Sequence, residues 1–286
     1  MTKDKKTVAI LGTGIMGAAV ARNLAKKGFT VHAWNRSFDK AKKLEPEGIK
    51  AFNTVADAVR DASILITVLK DGKAVEDAID QAAGRLKDGT IWLQLSTVGV
   101  DATDRLASLA KKHGLSFYDA PMVGTRKPAE DAKLVMLASG DESNRSAAQS
   151  VFDAIGQRTI WVPGEAGGAS RLKLALNAYV LALTNATAET LGIAKVLRID
   201  PALVSEAVTG GPLDSIYFQT KGASMLKGDF STSFSVENGL KDVKLVKDAV
   251  AATGFRVDLV EASIDKLERA KQAGYGDQDI SATFLV

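Results

Sequence analysis

Thr7-Val8-Ala9-Ile10-Leu11-Gly12-Thr13-Gly14-Ile15-Met16-Gly17, with the alanine-rich run that follows to Lys27, decides the fold of the first half of the chain. Thr7–Leu11 reads as a short buried strand and the alanine-rich run as a helix capped by Gly28. Phe29–Trp34 is the next strand. G-x-G-x-x-G therefore lies between the strand and helix of a short βαβ unit. There Gly12 permits the tight turn, Gly14 lets the backbone approach a pyrophosphate, and Gly17 lets helix and strand pack closely. The anion then rests on the unpaired N–H groups of the helix N-terminus. Gly12, Thr13, Gly14, Ile15, Met16 and Gly17 are assigned to a dinucleotide site, the alternative being a purely structural glycine turn.

The end of the second strand selects the cofactor. An acid there would accept from a ribose 2′-OH, but the chain reads Trp34-Asn35-Arg36-Ser37 and the first acid is Asp39. An amide, a guanidinium and a hydroxyl suit a 2′-phosphate. Asn35, Arg36 and Ser37 thus predict NADP(H), the alternative being an exposed loop arginine with Asn35 as a cap. Apolar runs at Ile64–Leu69, Thr90–Leu95, Leu115–Asp119, Leu134–Ala138 and Thr159–Val162 extend the sheet to about eight strands. Helices are expected at Val100–Lys112 and Glu142–Ile155. Residues 1–163 are read as a doubly wound α/β domain of the Rossmann type. Ligands bind outside the carboxyl ends of such strands, which places Val68, Leu69, Ser96 and Thr97 beside the cofactor.

Past Pro163 the strand signal stops, and residues 164–286 read as an all-helical domain for substrate binding and dimerisation. A long helix over about 167–197 links the two, and Pro201–Val208, Ser235–Ala252 and Val257–Ala273 are further helices. Leu172, Leu174, Leu176, Tyr179, Val180, Leu181 and Leu183 leave the long helix no fully polar face, so it is expected to be buried most of the way round. Lys173 and Asn177, four apart, share one face with Ser170 and Thr184. Burial lowers a lysine's pKa and suits it to proton transfer. A lysine that snorkels to water is the alternative, and this segment alone does not decide.

The chain has 286 residues, 46% hydrophobic and 25% charged, with a formal net charge of +3, enough for two domains with a full core. Its basic residues are dispersed, and Lys3-Asp4-Lys5-Lys6 reads as a solvated tail, so neither nucleic-acid nor membrane binding is indicated. With no cysteine and only His32 and His113, disulfides and thiolate sites are excluded and no metal site is expected. No signal peptide or membrane-length apolar run is seen, and a cytoplasmic location is expected.

These motifs together resemble the β-hydroxyacid dehydrogenases, a family that includes 3-hydroxyisobutyrate dehydrogenases, glyoxylate and succinic-semialdehyde reductases, and 6-phosphogluconate dehydrogenases. The resemblance covers nearly the whole chain. Gly12–Gly17 is similar to the family's G-x-G-x-M-G loop, Ser96-Thr97 to its S-T pair, and Asp119–Thr125 to its substrate segment D-A-P-V-S-G-G. Gly168, Lys173 and Asn177 match its G-x(4)-K-x(3)-N signature. Lys241-Asp242 resembles its late K-D pair, and Gly276–Asp279 its G-x-x-D. Lys127–Asp131 is most similar to the glyoxylate and succinic-semialdehyde branch.

The resemblance implies that Lys173 is the general acid/base, with Asn177 one turn on. It implies that Ser96, Met122, Val123, Gly124, Thr125 and Lys241 contact substrate, and that Lys241 also leans over the nicotinamide end of the cofactor. One departure stands out. Val123 replaces the family serine that holds a substrate carboxylate; the Gly124 and Thr125 N–H groups remain and Arg126 or Lys127 can add charge, the alternatives being a more apolar pocket for uncharged carbonyls or a Val123 that only packs. The expected activity is NADPH-dependent reduction of a small aldehyde or ketone, or the reverse. The alternative is an imine reductase or reductive aminase, against which Lys173 argues because an ammonium repels an iminium. A non-catalytic cofactor-binding or chromatin-associated module ranks below both. The apolar long helix, and the family habit of helical-domain dimers, predict at least a homodimer.

Overall fold

The computed structural model describes residues 6–286; of the basic N-terminal cluster, all but Lys6 lies outside the described residues. The chain divides into two compact units, residues 1–173 and 174–286.

The first unit is built on a nine-stranded sheet. Its strands are β1 (Thr7–Leu11), β2 (Thr30–Trp34), β3 (Lys50–Phe52), β4 (Ile64–Thr67), β5 (Ile91–Gln94), β6 (Ser116–Asp119), β7 (Met122–Val123), β8 (Leu134–Gly140) and β9 (Gly156–Trp161). The order is β3-β2-β1-β4-β5-β6-β8-β7, with β9 on β8. From β3 to β6 all pairs are parallel, so the carboxyl ends of β1, β4, β5 and β6 share one edge. β8 runs antiparallel to β6 and β7, and β9 runs parallel to β8.

The helices of this unit are α1 (Ile15–Lys26), α2 (Phe38–Lys42), α3 (Val55–Val59), α4 (Gly72–Ala82), α5 (Val100–Lys112), α6 (Arg126–Glu130) and α7 (Arg145–Ile155). They cover both faces of the sheet. Val8, Ile10, Ile64 and Ile66 pack into one core, whereas Ala9, Leu11, Leu65 and Trp92 pack into the other. That alternation is what a strand buried on two sides requires. The side chains of Thr54 and Asp71 cap α3 and α4 by accepting from Asp57 N and Ala74 N. The expected sheet is present; β3 and β7, only three and two residues long, are the strands the sequence did not mark.

The helical half contains α8 (Gly168–Val196), α9 (Ala202–Val208), α10 (Ile216–Lys227), α11 (Val236–Val250) and α12 (Asp258–Ala270). α8 has 29 residues, a length of about 43 Å. It begins in the first unit and continues in the second. Its buried face carries Ser170, Leu174, Asn177, Leu181, Thr184, Ala188 and Leu191. The expectation of burial most of the way round is corrected here. Tyr179 is 63%, Ile193 53% and Val196 82% exposed, so this chain covers one stripe of α8 and leaves apolar side chains outside it.

Within the second unit Lys221 and Asp279 form a buried ion pair at 2.5 Å. Asp279 also accepts from Ser233 N and Oγ, Phe234 N, and Ser281 N and Oγ. Burial pushes its carboxyl up, but Lys221 and these donors outweigh that and hold it at about 2. Among the described residues no helix is long and apolar enough to cross a membrane.

Candidate active site

The glycine loop leaves β1 at the point where the strand order reverses, between β2 and β4. Gly12 has φ +108°, and a Cβ there would lie 2.1 Å from the Val68 carbonyl oxygen. A Cβ on Gly17 would lie 1.9 Å from the Gly12 carbonyl oxygen. Both positions therefore demand glycine. Gly14 differs: a Cβ built on it has nothing within 4 Å, and its backbone starts α1 in an extended conformation. Open space above a helix N-terminus, framed by two glycines fixed by packing, fits a dinucleotide pyrophosphate. Ile15 is exposed beside it and Met16 packs on the core.

Asn35 ties this loop to the end of β2. Its Oδ1 accepts from Thr13 N at 3.0 Å and its Nδ2 donates to the Ser37 carbonyl at 3.2 Å. Arg36 and Ser37 are exposed. Asn35 thus holds the loop while Arg36 and Ser37 face solvent.

A second buried network orders the ends of β4 and β5. Trp92 Nε1 donates to Thr67 Oγ1, Gln94 Oε1 accepts from Ser96 N, and Gln94 Nε2 donates to the Ser96 carbonyl. Ser96 Oγ accepts from Leu69 N at 2.8 Å and lies 3.3 Å from the Thr67 carbonyl. The hydroxyl of Ser96, expected at the substrate, is buried and fastens the Val68–Leu69 turn. Thr97 beside it is half-buried.

In the segment after β6, Met122 is buried, Val123 and Thr125 are half-buried, and Gly124 is exposed with φ +134°. Arg126 and Lys127 are exposed and paired with Glu130 and Asp131 along α6. The N-terminus of α8 attaches at the same sheet edge. Asp119, the last residue of β6, accepts from Gly167 N, Ser170 N and Ser170 Oγ. Lys173 follows about one turn later and is half-buried. The glycine loop, Ser96, Val123 and Lys173 all belong to the first unit.

In the second unit Asn177 is buried and donates from Nδ2 to Asp242 Oδ2 at 2.9 Å. Asp242 Oδ1 lies 2.6 Å from the Lys241 ammonium. In the sequence Asp242 stands out only as the second member of the K-D pair. Nothing in its local sequence marks a partner 65 residues away. His32 is a core residue, with Nδ1 3.0 Å from the Ala58 carbonyl and its ring against Phe52. Among the described residues no group of three or more His, Cys, Asp or Glu is placed to hold a metal ion.

Two family models match the chain. Residues 7–164 match the NAD-binding domain of 6-phosphogluconate dehydrogenase, and residues 167–286 match the NAD-binding model of NADP-dependent 3-hydroxyisobutyrate dehydrogenase. Glyoxylate/succinic semialdehyde reductase 1 of Arabidopsis thaliana is 28% identical over 278 residues, which cover 96% of each chain. The human cytokine-like nuclear factor N-PAC is 29% identical over 99% of this chain and 52% of its own length. A solved 3-hydroxyisobutyrate dehydrogenase of Mycobacterium tuberculosis, with L-serine, is 28% identical, covers 98% of both chains and superposes with a TM-score of 0.88. With the glycine loop on a doubly wound sheet and the long helix opening a helical half, the chain belongs to the β-hydroxyacid dehydrogenase family of NAD(P)-dependent oxidoreductases.

Proposed function

We propose that the protein is an NADPH-dependent reductase of a small aldehyde or ketone, running in reverse as a β-hydroxyacid dehydrogenase, with Lys173 as general acid/base. The observation that carries this reading is the setting of Lys173. It is half-buried, about one turn into a helix whose start is tethered to the carboxyl end of β6, on the edge that holds the glycine loop. The nicotinamide, when bound, supplies the hydride. Lys173 then gives a proton to the carbonyl oxygen as negative charge develops on it, and recovers one in the oxidative direction. Within the second unit Asn177 donates from its amide nitrogen to Asp242, which fixes its orientation on α8.

Arg36 and Ser37, exposed and with no acid between them and the end of β2, support NADP(H) over NAD(H). Val123 offers no hydrogen bond, so the backbone N–H groups of Gly124 and Thr125 are the remaining anchors for a substrate anion. The apolar side chains left exposed on α8 support a homodimer or larger assembly.

The test is a panel of succinic semialdehyde, glyoxylate, neutral aldehydes and a cyclic imine, each with NADPH and NADH, on the wild type and Lys173→Ala. Carbonyl reduction with NADPH, lost at least about a hundredfold in the variant, is expected. Turnover confined to the imine, or a variant within tenfold of wild-type kcat, refutes the assignment.

A further inference from the structure

Asp119 is fully buried, and its carboxylate is held by a set of neutral donors. Oδ2 accepts from Gly167 N at 3.1 Å, Ser170 N at 2.7 Å and Ser139 Oγ at 3.4 Å. Oδ1 accepts from Ser170 Oγ at 2.7 Å. Ser139, on β8, repeats the arrangement by accepting from Ala169 N at 3.0 Å. The N–H groups of Gly167, Ala169 and Ser170, at the start of α8, are thus held by two side chains of the sheet. The resemblance puts Asp119 at the head of the substrate segment, but its oxygens serve the start of α8.

We propose that Asp119 is a positioning residue for Lys173. It clamps the first turn of α8 to the carboxyl end of β6 and so fixes where the lysine amine stands. This rests on Lys173 being the proton donor. Lys173 comes three residues after Ser170 on the same helix, so less than one turn separates clamp from amine and little slack is left between them. The bonds fill the orphan N–H groups of a helix N-terminus. Burial pushes the Asp119 carboxyl up, opposed by the hydrogen bonds from Ser170, Gly167 and Ser139.

The two oxygens are not equivalent, and this makes the idea testable. Oδ1 meets only Ser170 Oγ, a hydroxyl 3.1 Å from Thr103 Oγ1, which in turn bonds the Gly99 carbonyl. Ser170 can therefore donate to Thr103 and accept at Oγ instead. An asparagine with its oxygen at the Oδ2 position and its amide nitrogen toward Ser170 keeps every contact without the charge. An alanine keeps none.

The experiment compares Asp119→Ala, Asp119→Asn and Ser170→Ala, alone and combined with Lys173→Ala. It measures NADPH Kd by fluorescence titration and reduction by single turnover with enzyme in excess. For Asp119→Ala the rate is expected to fall about tenfold or more while Kd stays within twofold. Asp119→Asn should recover to within about threefold of wild type, and neither change should slow Lys173→Ala further. An Asp119→Ala rate within twofold of wild type overturns the proposal, as does a matching loss of NADPH affinity, an asparagine no better than alanine, or an equal loss in the Lys173→Ala background. If Asp119→Ala does not fold, Ser170→Ala decides: about a threefold loss that vanishes without Lys173 supports the clamp, and no loss refutes it. A Lys173→Ala enzyme that keeps its rate removes the functional reading itself, whatever Asp119 does.

Discussion

Replacing Gly14 and Gly17 separately by alanine should divide cofactor binding from folding. Gly14 has φ −68° and no atom within 4 Å of a built Cβ. An alanine there meets no clash and lowers the entropy of the unfolded chain, worth about 0.5 kcal/mol of added stability. The same methyl stands where the backbone must approach a pyrophosphate, and overpacking of that kind costs about 1–3 kcal/mol. NADPH Kd should therefore rise about tenfold or more, since 1.4 kcal/mol is one decade. Gly17→Ala is the opposite case, because its Cβ would lie 1.9 Å from the Gly12 carbonyl oxygen and backbone must move. It should cost about 3 kcal/mol or more and lower Tm without any ligand. The assay is thermal unfolding with and without NADPH, alongside fluorescence titration. Gly14→Ala should raise its ligand-free Tm slightly and lose about 1.4 kcal/mol of ligand-induced stabilisation at saturating NADPH. A Gly14→Ala protein that binds NADPH within twofold of wild type refutes the placement of the pyrophosphate.

Arg36→Ala should weaken NADPH by about tenfold or more and leave NADH within about twofold, because a charge-assisted bond to phosphate is worth about 1.5–3 kcal/mol; equal losses for both cofactors would rule out a 2′-phosphate contact. The Asp279 carboxyl, held at about 2 against an ordinary 3.8, contributes stability that is fully present above about pH 4. That contribution is lost as pH falls through about 2 and amounts to about 2 kcal/mol. Urea unfolding between pH 5 and 2 should show that slope, and Asp279→Asn should flatten it; an unchanged slope in the variant contradicts the assignment. Lys221→Met leaves that carboxylate buried without its cation and should cost about 3–5 kcal/mol, read from the urea midpoint at pH 7.

The parts of the site that were legible in the sequence are those where the backbone dictates the residue. Gly12 and Gly17 are read because no side chain fits beside Val68 and Gly12 themselves. The parallel strands are read because burial on both faces makes them continuously apolar. β7 is too short to show a period, and Thr220, Gly222 and Ser224 dilute the helical signal of α10. The ends of the long helix are legible but its exposure is not: composition records which side chains are apolar but not how many faces one chain covers. Asp119 and Asp242 were both inside recognised motifs. Their partners, Ser170 and Asn177, are 51 and 65 residues distant, so only the fold shows that each carboxylate serves α8.

The bond from Thr13 N to Asn35 Oδ1 has an evolutionary reading. An aspartate at position 35 would still present an oxygen to that N–H, giving up only the weaker contact to the Ser37 carbonyl. It would also install the acid that a ribose 2′-hydroxyl favours and a phosphate ester shuns. Asparagine and aspartate codons differ by a single nucleotide. On the proposed NADP(H) reading, one base change at position 35 would therefore shift dinucleotide choice while the glycine turn keeps its fastening.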